Sequence, residues 1–229
     1  MPVQERRRRL SPAERRAQLL SVGARLFAAR PYEEVLMEEV AERAGVSRAL
    51  LYRHFPSKHD LFAEVYRQAA DELLAKSRFD PADTLVEQLV EGMDAHLDYF
   101  IANRHAVLTA NRVLAGDQVI QTIISEELDA LRGRLLGVLP LADEAARRAV
   151  SQVLRSWLVF VRVLVIDWLT EESCTRDELR DACIGAVLGA LRPFVPVDPA
   201  RGAPFVPDGP ARGIPSGTTG EASQASNSP

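Results

Sequence analysis

Helix-start signals recur along this chain with a regularity that leaves little room for other architectures. Ser11-Pro12-Ala13-Glu14 offers an N-cap serine, a proline at the first helical position and a glutamate at the third. That reciprocal pattern satisfies two of the free N–H groups of a first turn and pre-sets φ. Ser57 with Asp60, Asp80-Pro81 with Asp83, and Thr175 with Glu178 repeat it, and no comparable strand signal intervenes. An all-α fold of about nine helices is expected.

Leu20, Ala24 and Phe27 recur at helical spacing after Ser11, predicting a first helix that ends before Pro31. Two short helices follow, Met37 to Ala44 and Ser47 to His54, then one from Lys58 to Ser77. Five more are expected at about 81–103, 105–115, 118–138, 143–171 and 175–194. In the 143–171 segment the only consistent polar stripe is Arg148, Ser151, Arg155 and Arg162. A helix that apolar needs neighbours on two sides. The last helix carries Leu179, Cys183 and Val187 on one line and Ile184, Leu188 and Leu191 on another. Together the two suit a C2 four-helix interface using Val161, Leu164, Trp168, Ile184, Val187 and Leu191. The other arrangement buries both faces inside one chain.

Charge is placed unevenly. Residues 1–60 hold 12 Lys+Arg against 8 Asp+Glu, whereas the remainder holds 16 against 24. A basic N-terminal part on an acidic body fits a polyanion contacted from one end. Cys174 and Cys183 are the two cysteines, too few for a disulfide framework or metal set, and fit a reducing compartment. No apolar run reaches the roughly 20 residues of a membrane span, and none follows "RRRRLSPAERR" as an export signal requires. A cytoplasmic protein without a membrane partner is expected. Residues 196–229 hold seven of the fourteen prolines and five glycines, a composition expected to stay disordered.

The segment "MEEVAERAGVSRALLYRHFPSKHDLF", Met37 to Phe62, carries the functional signal. Val40, Ala41 and Ala44 can pack inward, Gly45 can take the left-handed conformation that ends a helix, and Val46 can plug the corner. Ser47 then caps a helix whose Leu51 and Phe55 return to the same core, giving a helix-turn-helix. Arg48, Ala49, Tyr52 and Arg53 fall on outer or flanking faces. Arg48 suits guanine edges in a major groove, and Ser47, Tyr52, His54 and Lys58 suit phosphates.

The order of residues is more specific than the geometry. "VAERAGVSRALLYRHFPSKHDLF" resembles the DNA-binding region of TetR-family transcriptional regulators, through Ala41, Ala44-Gly45-Val46-Ser47, Leu51-Tyr52, His54-Phe55, Ser57-Lys58 and Leu61-Phe62. The resemblance implies a homodimer on a palindromic double-stranded DNA operator, usually a repressor released by a small molecule. It makes the helix from Ser47 the recognition helix, Tyr52, His54 and Lys58 phosphate contacts, and Arg48 the base reader. Ala49-Leu50 stands where the family often has Gly-Thr, so Leu50 either meets a thymine methyl or packs within the protein. Leu36 stands where a Ser or Thr usually opens the second helix, and Pro31 replaces a common glycine. The arm Arg6 to Arg9 either reaches a minor groove or remains solvated.

Four regions are expected: a basic arm at 1–10, the helix-turn-helix domain at 11–57, a helical effector-binding and dimerisation domain at 58–195, and the tail at 196–229. Within the large domain Leu89, Met93, His96 and Phe100 share a face, so His96 is either a core histidine or a polar handle in a pocket. By the resemblance, Asn111, Arg112, Gln121 and Trp157 are further pocket candidates. Phe62 and Tyr66 lie on the fourth helix, the family's lever between domains. A lipophilic effector with an anionic or hydrogen-bonding end for Arg112 or His96 is expected. Neither cofactor nor metal is expected, since no His-Glu-x-x-His, Gly-x-Ser-x-Gly, P-loop or paired Glu-x-x-His occurs. The rival classes are an enzyme and a protein-interaction module acting through its acidic body; only the DNA-binding reading predicts salt-dependent DNA affinity.

Overall fold

The computed structural model describes residues 10–76 and 83–195. Among them the helices are α1 Pro12–Ala29, α2 Met37–Arg43, α3 Arg48–His54, α4 Lys58–Lys76, α5 Leu85–Ala102, α6 Arg104–Leu108, α7 Gln118–Val138, α8 Glu144–Glu171 and α9 Arg176–Leu191. A 3₁₀ turn, Tyr32–Glu34, joins α1 to α2, and no strand occurs among these residues. The expected all-α architecture is present. The expected arm at Arg6–Arg9, the Asp80-Pro81 cap and the 196–229 tail lie outside the described residues.

Local chemistry explains the helix starts. Ser11 Oγ accepts from Glu14 N–H while the Glu14 carboxylate accepts from Ser11 N–H at 2.7 Å, and Thr175 with Glu178 forms the same box. Ser57 Oγ accepts from Asp60 N–H at 3.1 Å at the start of α4. Among the described residues the fifth helix begins at Leu85, where Thr84 caps it and Glu87 reciprocates. The expected 105–115 helix changes character. After α6 the chain widens into a π turn, Thr109–Val113. Asn111 Nδ2 there donates to Val107 O at 2.8 Å, leaving Oδ1 to face inward.

Two cores share α4. The first gathers Leu19, Leu26 and Phe27 of α1, Val40 and Ala41 of α2, Leu51 and Phe55 around α3, and Leu61 to Tyr66 of α4, then continues into Ala110 and Ile120 to Ile124. It therefore runs well past residue 57. The second gathers α5, α7, α8 and α9 around Leu97, Leu154, Val165 and Cys183, with Leu73 of α4 entering it. Where α1 crosses α4, a Cβ on Gly23 would stand 3.3 Å from the Leu61 side chain, so the absence of one sets the close crossing.

By length and composition α8 is apolar enough to cross a membrane, with a mean hydropathy of 1.7 over an 18-residue stretch. Here Val150, Leu154, Leu158, Val161 and Val165 of α8 are buried in the second core. Arg162, expected on the polar stripe, is instead 6 % exposed. Acidic, hydroxyl and amide partners from three other elements hold it inside.

Candidate nucleic-acid interface and effector cavity

The corner before α3 is a Schellman closure. Gly45 has φ +63, Gly45 N–H donates to Glu42 O at 3.0 Å, and Val46 N–H donates to Ala41 O at 2.9 Å. Val46 packs on the first core, and Ser47 Oγ accepts from Leu50 N–H at 3.2 Å to start α3. Leu51 and Phe55 are buried, so α3 is anchored by one face. Arg48, Ala49, Tyr52 and Arg53 are exposed on the other, with Leu50 and His54 half-buried at its margins. The expected reading residues are thus brought together on one short, rigid helix.

Three details refine that surface. Arg48 Nη1 lies 3.3 Å from Glu38 of α2, a solvent-exposed pair that steadies the side chain without neutralising it firmly. Lys58 Nζ donates to Tyr32 O at 2.9 Å and lies 4.3 Å from the centre of the Tyr32 ring, so its ammonium also closes the 3₁₀ turn. Leu36 supplies no side-chain cap to α2 and is 57 % exposed beside this surface. Glu39 in the same first turn is held below the usual carboxylate range by the Arg30 guanidinium that bonds it.

The second site is a cavity of about 70 Å³ framed by α4, α5, α7 and α8. Leu89, Met93, Leu131, Leu135, Trp157 and Val161 make most of its wall. Trp157 presents only its ring, because its Nε1–H donates to Cys183 O at 2.8 Å. One end is polar. Arg162 Nη1 and Nη2 lie 3.3 and 3.4 Å from Glu127 Oε2, Nη2 donates to Tyr66 Oη at 2.9 Å, and Nε donates to Asn111 Oδ1 at 3.0 Å. This pair is buried on both sides. Burial lifts the Glu127 carboxyl above its ordinary range, and the Arg162 charge pulls it back. His96 lines the same end, its ring centroid 4.0 Å from that of Phe100, while the Arg162 guanidinium lies 5.9 Å from the Phe100 ring centre. Burial, assisted by Arg162, pushes His96 down to about 3, so it is neutral at ordinary pH. Its Nε2 is enclosed and has no hydrogen-bond partner among the described residues.

Of the residues expected to line a pocket, Met93, His96 and Trp157 do so. Tyr66, Phe100 and Asn111 stand one layer behind, gathered by Arg162. Phe62 lies in the first core between Phe27 and Tyr66. Arg112 pairs with Asp167 at 3.1 Å on the surface, and Gln121 is exposed on α7. Sequence reasoning missed Glu127 and Arg162. Glu127 continues the buried line Ile120, Ile123, Ile124 on α7, and Arg162 falls between Leu158 and Val165 on α8, so both were charges at core positions. Among the described residues no cluster of three or more His, Cys, Asp or Glu is placed to hold a metal ion.

The surface on α8 and α9 also differs from expectation. Val161, Ile184, Val187 and Leu191 are buried within this chain, with exposures of 5 %, 5 %, 0 % and 3 %, because α9 packs them against α8 and α5. Leu164 and Trp168 are half-buried, and Trp168 Nε1–H donates to Cys174 O at 2.8 Å. The outward apolar residues are Val159, Phe160 and Val163 of α8. A shallow groove runs from Val153 and Phe160 to Ala186 and Ala190 of α9.

Comparison with known proteins agrees with this geometry. The profile of bacterial regulatory proteins of the tetR family matches residues 19–65, the stretch that carries the helix-turn-helix. The transcriptional activator FasR of Mycolicibacterium smegmatis is 43% identical over 70 residues, 31% of this chain and 32% of FasR. The nucleoid occlusion factor SlmA of Alteromonas mediterranea is 30% identical over 146 residues, 62% of this chain and 67% of SlmA. The chain thus spans from about a third to two thirds of the curated relatives it matches. A tetR-family regulator from Streptomyces coelicolor shares the fold with a TM-score of 0.71 at 24% identity, covering 80% of this chain and 82% of its own. The chain belongs to the TetR family of bacterial regulatory proteins.

Proposed function

We propose that this chain is a cytoplasmic, non-enzymatic transcriptional regulator that binds a palindromic DNA operator as a homodimer and is released by a small lipophilic effector. The observation that carries the reading is α3: buried Leu51 and Phe55 hold it while Arg48, Ala49, Tyr52 and Arg53 face outward together. A helix presented in this way enters a major groove with its first turns against base edges. Arg48 then reads guanine, and Tyr52, Arg53, His54 and Ser47 take phosphates, with Leu50 at the thymine-methyl margin. Lys58, whose ammonium donates to the Tyr32 and Glu33 carbonyls, adds a phosphate contact through its remaining N–H.

Dimerisation is supported by the exposed Val159, Phe160 and Val163 beside the small-residue face of α9. Apolar side chains clustered on one helix face gain most by covering one another across a two-fold axis. Release is supported by Arg162, which joins the cavity wall to Tyr66 of α4, the helix that enters both cores. A ligand that moves Arg162 shifts α4 and with it the separation of the two recognition helices, for which groove spacing of about 34 Å leaves little tolerance.

The test is selection of random duplexes by the purified protein, then titration of the winner at several salt concentrations, repeated with Arg48→Ala. A palindromic winner, weakened at one base position by the substitution, supports the reading. Absence of any enriched sequence rejects it.

A further inference from the structure

The cavity has a charge balance that restricts what can enter it. Among the described residues its lining contains one cation, Arg162, and one anion, Glu127, already in contact at 3.3 Å. The remaining Arg162 donors go chiefly to Tyr66 and Asn111. His96 brings no charge, and the opposite wall offers the ring of Trp157 but not its N–H. Among the described residues a carboxylate entering here would meet Glu127 and no unpaired cation, and an ammonium would meet no unpaired anion. Either would lose its hydration without replacement, which a low-dielectric site penalises heavily.

One polar group on the wall is nevertheless unsatisfied. His96 Nε2 has no partner among the described residues, and the ring lines the cavity at the Arg162 end. Neutral imidazole has one donor and one acceptor nitrogen, so a hydroxyl, which both gives and takes, matches either tautomer. Building on the effector reading above, we infer that the effector is an uncharged, largely apolar molecule with one hydroxyl or equivalent group seated between His96 and Arg162. Its apolar body lies along Leu89, Met93, Leu131, Leu135 and Trp157. Specificity against charged analogues of the same shape comes from the Arg162–Glu127 pair, whose opposite charges already balance each other, so a second ion would enter uncompensated.

The experiment compares two matched pairs by calorimetry and thermal shift on the full chain at pH 7.5: decan-1-ol with decanoate, and cyclododecanol with cyclododecanecarboxylate. The alcohol of at least one pair should bind ten-fold or more tightly than its acid. His96→Leu should weaken that alcohol by about ten-fold, the worth of a buried hydrogen bond, and His96→Gln should recover part of it. A cavity-filling Leu131→Trp checks that binding occurs there. Acids that bind as tightly as the alcohols, and lose binding in Leu131→Trp, overturn the neutral-ligand inference and leave the effector reading standing. If none of the four compounds shifts the melting curve, the inference and the effector reading both fall. If binding survives in Leu131→Trp, the site is elsewhere and the inference is again overturned.

Discussion

Arg162 Nη2 and Tyr66 Oη meet at 2.9 Å although 96 residues separate them in the chain. The bond joins α8, a wall of the cavity, to α4, which also belongs to the core under the DNA-facing helices. Glu127 of α7 and Asn111 of the π turn close the same guanidinium, so four elements converge on one buried charge. An apolar side chain there would fill space equally well. A charge that must keep several partners resists being shifted without them, and this makes it suited to relay what happens in the cavity.

The first prediction separates stability from coupling. Arg162→Ala leaves Glu127 buried without its partner and should destabilise by about 3–5 kcal/mol, whereas replacing both by apolar residues should cost far less. Tyr66→Phe removes one hydrogen bond to a charged donor, about 1.5–3 kcal/mol, and keeps the ring in place. Urea unfolding reads the first two variants. DNA binding with and without the effector reads the third, which should keep operator affinity while losing much of the release.

A second prediction concerns acid. His96 is held at about 3 in the folded chain against an ordinary 6.5, because burial disfavours its charged form. Above pH 6.5 the group is neutral in both states and has no effect. Between pH 6.5 and about 3 the unfolded chain takes up a proton that the folded chain refuses, so stability falls as pH falls, by up to about 1.4 kcal/mol per pH unit from this one site. Unfolding midpoints of wild type and His96→Leu, measured from pH 7 to 5, should diverge with the wild type steeper. Parallel curves would show that the imidazole is not enclosed.

How much of this was legible in the sequence depends on the range of the forces involved. Caps act within four residues, so Ser11, Ser47, Ser57 and Thr175 marked their helices correctly from local spacing alone. Thr84 with Glu87 makes the complete box that starts α5, four residues past the expected Asp80-Pro81 cap, which lies outside the described residues. The outward face of α3 was also legible, since Leu51 and Phe55 fix its orientation. The interior of the large domain was not. Periodicity shows that Val161, Ile184 and Val187 are apolar, but not whether their own chain or a copy covers them, because that is decided by the packing of α9. Arg162 and Glu127 looked like surface charges until the fold brought them together from helices 35 residues apart.

A third prediction tests the turn between α2 and α3. Gly45 has φ +63 and a Cβ added there would meet nothing within 4 Å, so any cost of Gly45→Ala is conformational and not steric. Forcing an alanine into the left-handed region should destabilise by about 1–2 kcal/mol, and Gly45→Asn by less, since asparagine tolerates that region. The measurement is urea unfolding followed by circular dichroism, with operator affinity falling alongside stability because the same turn aims α3.

The last prediction distinguishes the inside of the α8–α9 pair from its outside. Phe160 is 43 % exposed and Val161, its neighbour in the chain, is 5 % exposed. A carboxylate at 160 therefore stays in water in the isolated protomer, but would be stranded in an apolar interface if two copies meet there. Phe160→Asp should give a folded protein of unchanged helicity whose mass by light scattering is that of one chain, with operator affinity lowered because each half-site is then bound alone. Val161→Asp places the same charge in the second core without a partner, where it should cost several kcal/mol and reduce the yield of folded protein. If Phe160→Asp retains the oligomeric mass of the wild type, the partner surface lies elsewhere than on Val159, Phe160 and Val163. The two adjacent positions thus make one experiment, in which the fold and the assembly respond separately to the same substitution.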